Sequence, residues 1–242
     1  MKFKKPNQHG AWAMIIMPVL FGIFLSQFNF YQLLFFASWF MIFFFIDNVL
    51  FYMKQRKKQI GYLKGASLFL GIATLLLLPV IIHEVRILLF FIAMMPFACV
   101  NVYFASQRDE RNILNDFSAI IIFSIAGLIA YFLGNHTVDI NMLYVFGFSF
   151  MYFVGTTFYV KSMIREKKNI KFKYYSFGYH VLLVVLGFII HPLVGIAIAP
   201  SLVRAVYLYG KNVKPMKIGI LEIANACFIT LFIGIYFYTI LK

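Results

Sequence analysis

Few residues of this sequence could do chemistry, and the densest group of them lies in one polar segment of an otherwise apolar chain. Residues 101–116, NVYFASQRDERNILND, hold three of the eight acidic residues. The charged members of the segment are Asp109, Glu110, Asp116, Arg108 and Arg111. Acids and arginines that alternate in this way either form specific pairs or contact a polar ligand. Basic residues alone would suffice to orient a membrane protein, so we expect one of these two roles.

Other polar residues lie near the ends of apolar runs. Asp47 and Asn48 come about two helical turns before the basic end of the second run, and His9 lies at the start of the first. Lys161 and Arg165 are of the type that binds an anionic head group directly. The candidate ligand-binding residues are therefore Asp47, Asn48, Arg108, Glu110, Arg111, Asp116, Lys161, Arg165 and His9. For Asp47 and Asn48, a hydrogen bond between helices is an equally good interpretation.

A further polar group needs no ligand. Glu222 and Asn225 are one helical turn apart on one face of the last apolar run, and Arg204 lies in the second half of the run before it. The simplest interpretation is an Arg204–Glu222 ion pair across that hairpin. His180, about two turns into the seventh run, is interpreted as a core or interface residue with satisfied ring nitrogens. All these residues lie toward the same predicted side of the membrane.

Several familiar motifs are incomplete. Residues 83–87, HEVRI, lack the second histidine of the HExxH zinc motif, so no metal site is predicted. There is no Walker A loop and no dinucleotide fingerprint, and no cofactor can be assigned. Cys99 and Cys227 form no CxxC pattern and are predicted to be buried packing residues.

The composition fixes the class of protein. With 63% hydrophobic and only 12% charged residues, the chain has too little polar surface to cover a soluble domain of 242 residues. A membrane helix needs about 20 mostly apolar residues, and such runs follow one another along the chain. We therefore predict an all-α polytopic membrane helix bundle. The predicted spans are 10–27, 31–53, 61–82, 87–105, 114–133, 139–161, 174–190, 192–209 and 217–241.

The formal net charge of +14 would suggest nucleic acid as a partner if the protein were soluble. With the N-terminus in the cytoplasm, however, 20 of the 22 Lys and Arg fall on the cytoplasmic side, leaving Arg86 and Lys242. This is the distribution of the positive-inside rule. We predict a multi-pass protein of the cell membrane, with its N-terminus inside, its C-terminus outside and the lipid bilayer, not nucleic acid, as its partner.

Two segments need an additional argument. Residues 181–200 are long enough for one helix, but the flanking basic clusters would then lie on opposite sides, so two helices with a turn at His191 and Pro192 are predicted. The first run resembles a signal peptide but lacks an Ala-x-Ala site and is followed by more spans, so it is expected to remain as the first helix. A single integral membrane domain over residues 1–242 is predicted.

Three segments resemble the YwiC-like family of bacterial membrane proteins: KKPNQHGAWAMIIMPVLFGIF at 4–24, SQRDERNILND at 106–116 and YVKSMIRE at 159–166. More distantly, the nine helices and their orientation resemble UbiA-type intramembrane prenyltransferases, with residues 6–22 similar to the first helix and 103–127 to the fourth and fifth. This resemblance implies a cytoplasm-facing polar cavity. In that superfamily, aspartate-rich loops after helices two and six bind Mg²⁺ and a prenyl diphosphate.

The chain departs from that pattern at both loops. The first motif of the superfamily is NDxxDxxxD, but residues 47–55 read DNVLFYMKQ and retain only Asp47 as an acid. The second, DxxxD, corresponds to residues 159–169, where Glu166 is the only acid. Holding Mg²⁺ against a diphosphate normally takes two or more carboxylates. A site in this chain would therefore bind an anionic head group through lysine and arginine.

Two hypotheses for function follow. The first is an enzyme or lipid-binding protein that holds an isoprenoid or other anionic lipid, with the head group at Lys161, Arg165, Arg108 and Arg111. The second is a non-enzymatic membrane protein, such as a small transporter or an assembly partner of a membrane complex. In the second case the charges only fix topology and helix contacts.

Overall fold

The computed structural model describes residues 2–3, 9–55 and 59–241, apart from the side chain of His9. The described residues form nine α-helices and no strand. They are α1 (His9–Leu25), α2 (Phe30–Lys54), α3 (Ile60–His83), α4 (Ile87–Ser106), α5 (Ile113–Asn135), α6 (Asn141–Val160), α7 (Ile170–Ile190), α8 (Pro192–Leu208) and α9 (Pro215–Tyr236). The basic residues Lys4, Lys5, Arg56, Lys57, Lys58 and Lys242 lie outside the described residues.

The helices confirm the predicted fold class. Seven of them are long and apolar enough to cross a membrane. The other two, α1 and α8, are apolar helices of 17 residues each, the lower limit for a span. The nine predicted runs coincide with the nine helices to within a few residues. The chain is a multi-pass membrane protein.

Polar side chains set the helix ends. Asn29 and Gln32 form a reciprocal capping box at the start of α2. Asn169 accepts a hydrogen bond from the backbone N–H of Lys171, so α7 begins about one turn earlier than predicted. Two helices end in a wider π-helical turn: α6 continues through Lys161–Arg165 and α9 through Phe237–Leu241.

The predicted break inside residues 181–200 is confirmed. The ring of His191 accepts a hydrogen bond from the N–H of Leu193 at 3.2 Å, which caps α8. Pro192 follows as the first residue of that helix, a position where its missing N–H costs nothing. His191 therefore lies at both the end of α7 and the start of α8.

The chain divides into two compact units. The first comprises residues 1–7 and 18–146; in it α2 packs along α3, and α4 packs along α5. The second comprises residues 8–17 and 147–242; in it α7 packs along α8, and α8 along α9. The unit boundaries fall within α1 and α6, so these two helices contribute to both units. The prediction of a single domain stays a prediction.

In the first unit, α1 crosses α5 at two glycines. A Cβ atom on Gly22 would lie 2.2 Å from the carbonyl oxygen of Gly127, and one on Gly127 would lie 2.5 Å from that of Pro18. Such backbone contact is possible only without side chains. Lipid gives helices no hydrophobic reason to associate, so close packing of small residues is a main source of helix attraction.

The turn between α3 and α4 carries a compact charged cluster in the same unit. Arg86 donates two hydrogen bonds to Glu84, at 2.8 and 2.7 Å, and the Nδ1 atom of His136 lies 2.9 Å from the same carboxylate. The ring of His83 stacks on Tyr31 with 3.8 Å between centroids. The contacts of Glu84 therefore tie this turn to the end of α5.

The cysteine prediction was wrong. Cys99 and Cys227 are free thiols on the exposed surfaces of α4 and α9. Composition could not separate these positions from the core, because a helix face in contact with lipid is as apolar as one in contact with another helix.

The glycine crossing yields a stability prediction. Gly127→Ala should lower the free energy of unfolding by about 1–3 kcal/mol, because its Cβ would meet fixed backbone atoms. Gly71→Ala on α3 is the matched control, since no atom lies within 4 Å of its added Cβ. Thermal unfolding in detergent measures both variants. Equal midpoints for the two would contradict the close crossing.

The Glu84 cluster yields a pH prediction. Hydrogen bonds from Arg86 lower the pKa of Glu84 from 4.5 to about 2, against the opposing effect of burial. A lowered pKa contributes stability above pH 4.5 that is lost as the pH falls toward 2. Because Arg86 is half-exposed, solvent screens the pair and the contribution to stability is modest. Glu84→Gln should remove that contribution at pH 7 and flatten the acid limb of stability, whereas Glu166→Gln should not.

Candidate functional site

The polar segment 101–116 is the joint between α4 and α5, as predicted, and its amides hold it in shape. Asn112 caps α5 by accepting from the N–H of Leu114 at 3.1 Å, and it also donates to the carboxylate of Asp109. Asn115 donates to the backbone carbonyl of Glu110 at 3.0 Å. Arg108 has a left-handed backbone, with φ of 58°, which turns the chain. The segment is therefore an ordered turn between two membrane helices, held by side-chain hydrogen bonds.

One acid of this segment reaches another helix. Glu110 forms an ion pair with Lys54 at the end of α2. Asp47 and Asn48 lie about two turns earlier on α2, and Asn48 is fully buried with its amide donating to the carbonyl of Phe44 at 2.8 Å. Asp116 lies in the first turn of α5, where a negative charge is favoured by the helix dipole. The structure thus brings Glu110 to α2.

The remaining candidate residues are distributed over both units. Arg108 and Arg111 are exposed on the α4–α5 turn of the first unit. Lys161 is buried and Arg165 is exposed in the π-helical turn after α6, in the second unit. The side chain of His9 lies outside the described residues. A head-group site shared by all four basic residues remains a prediction.

A buried polar cluster fills the second unit near its basic end, the end at which α6 and α8 finish and α7 and α9 begin. Each of three helices contributes polar residues at helical spacing, which puts them on one face. They are Tyr152, Thr156 and Tyr159 on α6, Ser201 and Arg204 on α8, and Glu222 and Asn225 on α9. All seven are buried. We call them the polar cluster.

The predicted ion pair lies at the centre of the polar cluster. Nη1 of Arg204 is 2.6 Å from Oε1 of Glu222, and both side chains are more than 90% buried. The guanidinium also stacks over the ring of Tyr159, 4.3 Å from its centroid. Arginine over an aromatic face gains about 2 kcal/mol when desolvated. The pair is therefore held by three helices.

The polar cluster has more donors than acceptors. Nε and Nη2 of Arg204 and the hydroxyls of Tyr159 and Thr156 have no hydrogen-bond partner among the described residues, and the Glu222 carboxylate has only its ion pair with Arg204. Leaving a buried donor without a partner costs about 1–3 kcal/mol. Such an arrangement favours a bound group that brings acceptor oxygens.

An apolar cavity adjoins the polar cluster within the second unit. The amide of Asn225 donates to Ser201 at 2.9 Å and to Tyr152 at 3.3 Å, and both hydroxyl residues line the cavity. The other lining residues are mainly Leu, Ile, Met and Phe from α6, α7, α8 and α9. Two of them, Met151 and Ile190, are exposed, so the cavity is open at the apolar surface. We call it the lateral cavity; its volume of about 30 Å³ holds a water molecule or two.

His180 forms part of the polar wall of the lateral cavity. Its Nδ1 atom lies 2.7 Å from the carbonyl oxygen of Ser176, which requires the proton on Nδ1. Nε2 is then an acceptor. The prediction of a core histidine is confirmed for its burial, and one ring nitrogen has the expected partner.

Arg204, Glu222 and Asn225 of the polar cluster were predicted from the sequence, whereas the three residues of α6 were not. Tyr152, Thr156 and Tyr159 are spaced by four and three residues, the repeat of one helix face. That spacing was visible in the sequence. Aromatic residues are so frequent here, at 20% of the chain, that it did not stand out. No group of three or more described His, Cys, Asp or Glu residues could hold a metal ion.

Comparison with known proteins establishes the family. The model of the family described as "YwiC-like protein" matches residues 6–131, which include α1 to α4 and most of α5. The chain belongs to the YwiC-like family. A Bacillus subtilis relative, "Uncharacterized protein YwiC", is 34% identical over 234 residues, or 94% of this chain and 95% of the relative. A Haemophilus influenzae "Uncharacterized protein" is 34% identical over 226 residues, or 93% and 94%. No solved structure matches significantly.

The ion pair of this YwiC-like protein gives a prediction about stability. Arg204→Met or Glu222→Met alone should lower the free energy of unfolding by about 3–5 kcal/mol, because each leaves a buried charge without its partner. The double variant should recover most of that loss. Arg165→Met, at an exposed arginine, is the control. Strictly additive losses in the double variant would show that the two residues do not interact.

Proposed function

We propose that this YwiC-like protein binds a lipid, an isoprenoid or another lipid with an anionic head, in its second unit within the bacterial cell membrane. The observation that carries the proposal is the polar cluster beside the lateral cavity. The unused donors of the buried Arg204 guanidinium suit an anionic head group. The lateral cavity beside them has an apolar lining and is open at the apolar surface, where a hydrocarbon tail could enter by displacing side chains.

The dimensions support a lipid lying along the helices. On α7 the lining of the lateral cavity extends from His180 to Ile190, which is about 15 Å of helix. Its polar wall is at the end nearer the basic residues. The enclosed space is narrow, so a tail would enter by displacing side chains at the open edge, where Leu186 and Met151 lie.

The excess of Lys and Arg at the basic end of the second unit supports an anionic head group there. From α6 to α9 the second unit carries ten Lys and Arg near its basic end, against Glu166 and Glu222. Lys161 and Arg165, two of the residues predicted for the head group, are among them. Basic residues at membrane helix ends attract anionic lipids by about 1 kcal/mol each. Arg108 and Arg111 lie in the first unit and are not needed for this binding.

The test is the lipid that remains with the protein. After purification in mild detergent, extraction and mass spectrometry should find an isoprenoid or anionic lipid in near-stoichiometric amount. Leu186→Trp should reduce it several-fold, because the larger side chain fills the lateral cavity. Leu182→Trp is the matched control, one turn away on α7 and exposed to the bilayer.

The outcome separates lipid binding from the non-enzymatic alternative. Recovery of bulk membrane lipid alone, in equal amounts from the wild type and both tryptophan variants, would contradict a lipid site. The polar cluster would then serve only to hold helices together.

A further inference from the structure

On the basis of the proposed lipid binding, we infer that the head group is a single negative charge spread over two oxygens, as in a carboxylate or a phosphodiester. It is bound by the Nε–Nη2 edge of Arg204, with the hydroxyl of Tyr159 as a further donor. A diphosphate head and an uncharged alcohol are both excluded as the preferred ligand.

The polar cluster holds hydrogen-bond donors that the fold does not use. Arginine has five N–H donors and no acceptor. Nη1 of Arg204 faces Glu222 at 2.6 Å, whereas Nε and Nη2 have no partner among the described residues. The Tyr159 hydroxyl is likewise buried without a described partner. The only acceptors beside these donors in the described part of the chain are the carboxylate oxygens of Glu222, which the five N–H groups of Arg204 and the Tyr159 hydroxyl outnumber.

The shape of the Arg204 guanidinium selects a head group with two oxygens. Its Nε–H and one Nη2–H bond point in parallel from one edge, so that edge matches two oxygens bonded to a common atom. Carboxylates and phosphodiesters present such a pair of oxygens. An alcohol has a single oxygen and would leave one donor without a partner. Arg204 is 92% buried, so water cannot freely replace the missing acceptor.

The charges around Arg204 favour a head group with one negative charge. The excess of Lys and Arg at the basic end favours an anion over a neutral head. Glu222, however, already neutralises Arg204 at close range and would repel a highly charged head. A diphosphate also needs a metal ion or several cations in contact, and the polar cluster offers one arginine. One negative charge satisfies both conditions.

Native mass spectrometry of the delipidated protein in detergent tests this inference. The four probes are oleate, lysophosphatidylglycerol, oleyl alcohol and farnesyl diphosphate, which all carry an apolar tail but differ in the head. We expect one-to-one binding, with a Kd for oleate or lysophosphatidylglycerol at least tenfold below those of the alcohol and the diphosphate. Preference for oleate would indicate a carboxylate ligand, and preference for the lysolipid a phosphodiester.

Two variants assign the preference to Arg204. In the double variant Arg204→Met, Glu222→Met, which keeps the cluster free of unpaired charge, the preference for the anion over oleyl alcohol should disappear while tail binding remains. Tyr159→Phe should weaken the binding of the anionic probe several-fold and leave the binding of oleyl alcohol unchanged. Unchanged preference in the double variant would overturn the assignment of the head to Arg204.

The remaining outcomes separate this inference from the proposed function. The head-group inference fails if the Kd of oleyl alcohol or of farnesyl diphosphate is less than tenfold above those of both oleate and lysophosphatidylglycerol, or is lower than they are. Lipid binding itself would still stand in that case. If none of the four probes forms a one-to-one complex, lipid binding itself fails.

Discussion

The second unit depends on one interaction, the buried ion pair of Arg204 and Glu222. A buried charge without a partner is strongly destabilising, so these two residues compensate one another. The pair does so only if α8 and α9 keep their register and α6 supplies the ring of Tyr159. This ion pair thereby specifies the register of α8 and α9 against α6, which general apolar contacts do not specify.

Apolar helices gain no hydrophobic free energy by leaving lipid for one another, so their contacts depend on close packing. In the first unit, backbone atoms of α1 and α5 meet at Gly22 and Gly127. In the second, the turn between α7 and α8 is closed by Gly187 and Gly195, where a Cβ on the first would lie 3.1 Å from the Cα of the second. Both contacts use the absence of a side chain to gain dispersion energy at short range.

The distribution of charges was sufficient to predict most of the fold. Basic clusters alternate with apolar runs, so nine helices and even the break at His191 could be placed. The Arg204–Glu222 pair was also predictable, because membrane helices hold few ionisable residues and these two lie in adjacent ones. Exposure was not predictable: Cys99 and Cys227 face outward on surfaces as apolar as the core. The polarity of a side chain cannot tell whether it faces lipid or another helix, because both surroundings are apolar.

In the segment 101–116, a conspicuous polar stretch, several polar side chains have structural partners. Its amides are used in capping α5 and shaping the turn, and Glu110 is paired with Lys54. Acids and amides at a helix joint can thus be accounted for by the backbone groups that helix ends leave unpaired. In the second unit, helix ends do not explain the donors of Arg204, because that residue lies inside α8. Buried donors that the fold itself does not use are the stronger indication of a ligand, and they are found there.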